Sequence, residues 1–234
     1  MNAVIGAIAK PLGTLLFYIY DLVGSYGIAL LILTTIVKFA LYPLYAKQIK
    51  STANMGKIQP KMKALQQKYA NDKAMLNQKM SELYKEENFN PMAGCLPMII
   101  QMPIIFGLFA LLRNPLLYMG ENNNMLFAVH ESFLWMSDLS QPDKWILPIA
   151  AGIATYFSFA MSQKQQASTT AVGGMGNMMK MMKYFFPVMI VLMARAYPAG
   201  LSIYWFFSQV IQVFFNLRFN KMRKKLNAEG GKKK

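Results

Sequence analysis

One cysteine, Cys95, and one histidine, His130, are all that the chain holds of the two side chains most used as metal ligands and nucleophile–base pairs. No disulfide can close within it, and neither a His/Cys metal site nor a Cys–His dyad is expected. No Cys-based lipid anchor is implied, since Cys95 lies far from the N-terminus. P-loop, Gly-x-Ser-x-Gly and His-Glu-x-x-His patterns are missing. Serines 158, 202 and 208 fall in apolar segments that contain no histidine to act as base, which disfavours an intramembrane serine protease. The methionine run MGNMMKMMKYF at 175–185 has the thioethers of a copper(I) site but no cysteine or histidine beside it, so it reads better as a membrane-surface helix entering an apolar segment. Acids are scarce as well: 10 Asp and Glu stand against 25 Lys and Arg, a net charge of +15.

What the chain has is long apolar runs. Residues 24–45, 93–113, 145–161, 184–200 and 201–217 are blocks of 17 to 22 residues, and nearly all the charge lies between them. A soluble protein spreads polar residues along every helix; this distribution predicts an all-α integral membrane protein with five transmembrane helices. YPAGLS at 197–202 supplies the proline and glycine for a tight turn between the fourth and fifth spans.

Basic residues accumulate on the cytoplasmic side of membranes. Segment 46–92 has nine lysines against four acids, the outer loop 114–144 carries four acids and only Lys144, and 162–183 has three lysines and no acid. The tail 218–234 has eight basic residues and one acid. The alternation places the N-terminus outside and the C-terminus in the cytoplasm. Residues 1–23 lack a basic n-region, and Lys10, Pro11 and Gly13 interrupt their apolar run, so a secretory signal peptide is not expected. Val4, Ile8, Leu12, Leu15 and Ile19 share a helical face, which predicts an extracytoplasmic interfacial helix, with a signal anchor as the alternative.

In 46–92 the apolar positions Met55, Ile58, Met62, Leu65 and Tyr69 step by three and four, as do Leu76, Met80 and Leu83. Two such helices, the second capped by Asp72, would pair as an antiparallel cytoplasmic hairpin, the first starting or kinking at Pro60. A lysine-rich linker with surface helices is the other reading. Asn90 and Pro91 then open the second span as cap and first helical residue.

Within LLILTTIVKFALYPLY, residues 30–45, sits Lys38. An ionised side chain at mid-bilayer costs about 2.5–3.5 kcal/mol on insertion scales, so a chain that keeps one there usually uses it. Thr34 lies one turn away on the same face. Gln101 in the second span and Tyr204, Ser208, Gln209 and Gln212 in the fifth offer further polar surface, with 204, 208 and 212 forming a stripe. Converging, these faces would line a hydrated cavity. Alternatively Lys38 snorkels toward Lys47, as Arg113 and Arg195 are expected to do at the outer boundary.

The run IQPKMKALQQKYANDKAMLNQKMSELYKEENFNPMAGCLPMIIQMPI, followed by LSQPDKWILPI and YPAGLSIYW, resembles the YidC family of membrane protein insertases, which has mitochondrial and chloroplast relatives. The likeness covers nearly the whole chain. It implies a five-helix core around a hydrophilic groove open to cytoplasm and lipid, a mobile cytoplasmic hairpin, and a short form without the large extracytoplasmic domain. Thr34, Gln101, Tyr204 and Trp205 match groove or substrate-facing positions. Lys38 stands where the family commonly has arginine, keeping the charge but losing the planar multi-donor fork.

The resemblance implies an insertase and chaperone in the bacterial cell membrane, without catalytic residues, metal or cofactor. Its partners would be nascent membrane proteins and lipids, with the ribosome and the Sec translocase as further candidates and no small-molecule substrate. Arg218, Lys221, Arg223, Lys224, Lys225, Lys232, Lys233 and Lys234 are the candidate ribosome or lipid contacts, on a tail whose composition predicts a flexible arm. A small secondary transporter and a ribosome-docking membrane scaffold are the alternatives.

Overall fold

The computed structural model describes residues 2–53, 55–87, 96–114, 117–118, 127–166 and 175–232. Among these it is helical almost throughout. The main helices are α1 (Asn2–Val23), α2 (Tyr26–Ala53), α3 (Met55–Lys68), α4 (Lys73–Glu86), α5 (Leu96–Arg113), α6 (Ile146–Gln166), α7 (Met175–Ala194) and α8 (Ala199–Lys232). Three contain stretches long and apolar enough to cross a membrane: Ile5–Val23, Tyr26–Lys47 and Ile146–Gln163. Ile99–Arg113 and Lys183–Ala194 are shorter apolar helices. The first of these stretches lies in α1, the segment expected along the outer surface. Polar Ser208, Gln209, Gln212 and Asn216 dilute the hydropathy of α8.

Large apolar side chains point outward along whole helix faces. On α6 these are Ile146, Ile149, Ile153 and Phe157, and on α7 Phe185, Val188 and Leu192. Continuous exposed stripes of this size are foreign to water-facing helices and suit lipid. Inside, the main core joins Leu16 and Ile19 of α1, Leu30 and Leu33 of α2, Leu108 and Leu111 of α5, and Leu201 and Tyr204 of α8. Gly24, at φ 68°, turns the chain from α1 into α2, a left-handed conformation that favours glycine.

The loop between α5 and α6 caps helices over its described residues 127–145. Glu131 accepts hydrogen bonds from the backbone N–H of Tyr26 at 2.8 Å and from the Tyr20 hydroxyl, closing the N-terminus of α2 against α1. Asp143 accepts from Leu147 N at 2.6 Å in the first turn of α6. Gln141 and Leu139 offer their carbonyls to Ala199 N and Gly200 N at the start of α8, at 2.9 and 3.1 Å. Three helices thus find partners for N–H groups that their first turns leave unmatched. Phe133 lies so close over Gly27 that a Cβ there would meet the ring at 2.2 Å.

α3 and α4 pair along their apolar faces: Ile58, Met62, Met80 and Leu83 make a small core of their own, with Leu65, Leu76 and Tyr84 around it. Asp72 caps α4, accepting from Met75 N at 2.9 Å, and Lys61 of α3 pairs with Glu87 at the far end of α4, as an antiparallel arrangement requires. Asp72→Ala should weaken the start of α4 by about 1 kcal/mol. Hydrogen exchange should then speed up at Met75 and Leu76, with α8 unaffected; unchanged rates would mean the cap contributes nothing.

Several helix limits differ from the hydropathy blocks. Of the start or kink expected at Pro60, the start is excluded, since Pro60 lies inside α3. α2 runs through Pro43 to Ala53, beyond the apolar block that ends at 45. The packing explains it: Tyr42 and Tyr45 lie against Phe215 and Phe219 of α8, holding the helix across the proline. α7 begins at Met175 and ends at Ala194, and the turn to α8 occupies 195–198. α8 continues to Lys232 through Gly230 and Gly231, so the described part of the tail is a helical extension of the fifth apolar block. Good helix formers such as Lys, Arg, Leu and Ala carry it on. Asn90, Pro91, Cys95, Lys233 and Lys234 lie outside the described residues.

Candidate functional site

Helical spacing puts Leu30, Thr34 and Lys38 on one face of α2, and that face is turned onto α8. Lys38 is 2% exposed. Its ammonium does not reach out along the helix to solvent; Nζ donates to Oε1 of Gln212 at 3.3 Å and lies 5.8 Å from the centre of the Tyr45 ring. Gln212 Nε2 donates in turn to Asn216 Oδ1 at 3.3 Å, and Asn216 Nδ2 donates to the carbonyl of Ser158 in α6 at 3.1 Å. A line of neutral polar groups therefore runs from α2 through α8 to α6. Among the described residues no carboxylate pairs with Lys38; the ion pairs found are Lys61–Glu87 and Lys79–Glu82, and Asp138 lies against His130. The positive charge at this position is solvated by amide and ring and left uncompensated.

Gln101 of α5 donates to the Tyr204 hydroxyl at 3.0 Å, so a second polar contact joins α5 to the same face of α8 two turns nearer its start. Tyr204 is buried. Trp205 points elsewhere: its Nε1 donates to Thr155 Oγ1 of α6 at 2.9 Å, and its ring lies 6.1 Å from Phe186 of α7. Adjacent on the helix, Tyr204 and Trp205 thus face different neighbours. Thr34 is buried, and its hydroxyl donates to the Leu30 carbonyl at 2.6 Å within its own helix. It shares the face of Lys38 without bonding to it.

On the C-terminal side of Lys38, an aromatic cluster fills the space between α2 and α8. Tyr42 stacks on Phe219 at 5.4 Å and meets Phe215 edge-on at 5.0 Å, while Phe39 meets Phe215 at 5.5 Å. Arg218 Nε donates to the Tyr42 hydroxyl at 2.9 Å, so this member of the basic tail is tied to α2, whereas Lys221 is exposed. The side chains of Arg223, Lys224, Lys225 and Lys232 are not described. At the opposite end, Arg113 and Arg195 are exposed, with Arg195 over the Trp145 ring at 4.0 Å.

One cluster resembles a hydrolytic triad by composition. His130, Asp138 and Ser140 lie together in the loop before α6, but Asp138 and Ser140 both approach Nδ1 of the histidine, at 3.2 and 3.0 Å. A triad needs the acid and the serine on opposite ring nitrogens. Partial burial pushes the Asp138 carboxyl up, but hydrogen bonds from Ser140 and His130 outweigh this and hold it below its usual value. Among the described residues no group of three or more His, Cys, Asp or Glu could hold a metal ion.

Gln212 was legible as part of the 204, 208, 212 stripe. Asn216, one turn further, continues it, yet lay in a block whose apolar character masked it. The Ser158 carbonyl left no trace in the sequence, because any residue supplies a carbonyl.

The sequence profile of the family described as 60Kd inner membrane protein matches residues 18–226. A membrane protein insertase YidC from Fusobacterium nucleatum subsp. nucleatum is 40% identical over 192 residues, covering 82% of this chain and 84% of that protein. Another from Syntrophus aciditrophicus is 42% identical over 215 residues, 92% of this chain but 36% of the relative. The crystal structure of an active YidC insertase with its first transmembrane domain resolved superposes with a TM-score of 0.61 at 30% identity, covering 88% of this chain and 45% of that one. The chain thus spans most of the shorter relative and less than half of the longer ones. With a match across residues 18–226 and a helical fold shared with a solved relative, the chain belongs to the 60Kd inner membrane protein family, that of the YidC membrane protein insertases.

Proposed function

We propose that this chain inserts membrane proteins into the bacterial cell membrane, using the Lys38 face as the wall of a hydrophilic groove. The observation that carries the reading is a buried ammonium solvated by neutral groups alone, inside a bundle whose outer faces are apolar. An uncompensated charge in that setting attracts an acidic group passing nearby more strongly than it would in water. In this reading α2, α5, α6, α7 and the first half of α8 are the five spans. α1 lies at the outer surface, and α3 with α4 forms a mobile cytoplasmic hairpin.

The polar tail of a nascent protein enters the groove from the cytoplasm, past Gln101 and Tyr204, which shortens the low-dielectric path it must cross. Its apolar segment passes into lipid along the outward faces of α5 and α7. Burying about 20 apolar residues in lipid supplies the driving force, so no nucleotide is needed. Lipids and nascent chains are the partners; the ribosome, through the basic end of α8, and the Sec translocase are further ones.

Photo-crosslinkers placed at Thr35 on α2 and at Val188 on α7 test this with a stalled single-span client. Thr35 should capture the client's polar flank and Val188 its apolar segment. Capture from neither position would overturn the reading. A secondary transporter predicts solute flux in liposomes instead, and a docking scaffold predicts that Lys38 and Thr34 are dispensable.

A further inference from the structure

The polar line that leads away from Lys38 has no part in a simple charged wall. Gln212 and Asn216 lie one turn apart on α8, and each uses both ends of its amide: Gln212 accepts from Lys38 and donates to Asn216, and Asn216 accepts from Gln212 and donates to the Ser158 carbonyl. The directions of these three bonds fit one another. A fixed carbonyl on α6 selects the Nδ2 side of Asn216 toward itself, which leaves Oδ1 for Gln212 and so turns Oε1 of Gln212 toward the ammonium. Reversing either amide would face donor with donor. Asn216 is 3% exposed, so water is not at hand to repair such a mismatch.

We infer that Gln212 and Asn216 are positioning residues that hold the Lys38 ammonium at a set point between α2, α8 and α6, and thereby determine how selectively the groove draws in acidic tails. The neutrality of the relay is what makes this work. A carboxylate at 212 would neutralise Lys38 internally and leave nothing for a client. A neutral amide orients the ammonium without cancelling its charge, and the 3.3 Å contact is loose enough to be exchanged for a closer carboxylate. The link to α6 adds a mechanical consequence. Displacement of α6 or α8 by a client moves the carbonyl that sets the relay, and so the position of the charge.

The inference rests on the insertase reading, and the test separates the two. The full chain in proteoliposomes is given two single-span clients that differ only in their translocated tails, one with three aspartates and one with three asparagines, and the ratio of protease-protected products is measured. The wild type should favour the acidic tail. Gln212→Glu, which is isosteric, should bring the ratio to about 1, because the internal carboxylate pairs with the ammonium. Gln212→Met, which keeps the charge but removes the acceptor that sets its position, should narrow the preference for the acidic tail while insertion of the asparagine client stays at the wild-type level. The double substitution Lys38→Gln with Gln212→Lys exchanges the two groups across the same contact and should restore the preference.

A purely structural role for Gln212 would lower insertion of both clients alike. A wild-type ratio in folded Gln212→Glu, or a swap that inserts both clients but shows no preference, overturns the relay. If Lys38→Ala leaves insertion of both clients at the wild-type level, the insertase reading of this face fails instead.

Discussion

Lys38→Met is expected to reduce insertion of clients with acidic translocated tails by about tenfold while leaving the protein at least as thermally stable as the wild type. The two halves of this result have one cause. A buried charge with no counter-ion costs several kcal/mol of desolvation, and replacing it by an apolar side chain of similar length commonly leaves a fold unchanged or more stable. The same charge attracts a carboxylate about 5 Å away by about 3 kcal/mol at an effective dielectric near 20. Losing even half of that attraction is about a tenfold effect on a rate it controls.

Lys38→Arg should retain insertion, since it keeps a positive charge on the same face of α2. Lys38→Glu should fall below methionine, because it repels the tail and leaves Gln212 facing a carboxylate through its Oε1. Insertion by protease protection and melting in detergent, at matched protein levels, measure both halves. Equal insertion by all four proteins would remove the electrostatic role; a large drop in melting temperature for methionine would make Lys38 a structural group.

Glu131→Ala should destabilise the α1–α2 end of the bundle by about 3–6 kcal/mol, the sum of two hydrogen bonds to a charged acceptor. Its carboxylate holds the first turn of α2 through Tyr26 N and joins it to α1 through the Tyr20 hydroxyl. Removal leaves the α2 N-terminus without its acceptor, in a region where Tyr26 is almost fully buried. Glu131→Gln should be milder, since the amide oxygen can accept one of the two bonds. The checks are the melting temperature in detergent and hydrogen exchange at Tyr26 and Gly27, with the α3–α4 pair as internal reference because it has its own core. If alanine melts with the wild type, Glu131 is only a topological charge, as its place in an acidic loop first suggests.

The contrast between these two residues shows which features a single chain displays. Lys38 was visible because a charge in an apolar run violates a one-dimensional pattern. Glu131 was not, because acid in an outer loop satisfies every such pattern, and its partners Tyr20 and Tyr26 are 111 and 105 residues away. The Gln212, Asn216 and Ser158 relay is similar: each residue is unremarkable in sequence, and its role comes from three helices meeting.

From sequence alone came the helical class, the apolar blocks, the Asp72 cap and the paired faces of α3 and α4. These follow from effects that act over a few residues: hydropathy, 3.6-residue periodicity and local capping. Tertiary structure alone decided that α2 passes through Pro43, because aromatic packing on Phe215 and Phe219 offsets what proline takes from the helix. It also decided that Lys38 turns inward to Gln212, that Tyr204 and Trp205 part toward α5 and α6, and that the acidic loop caps helices. These outcomes depend on which buried donor meets which acceptor across the bundle. In a low-dielectric interior that matching is strict enough to override local preference, and it exists only once the helices are side by side.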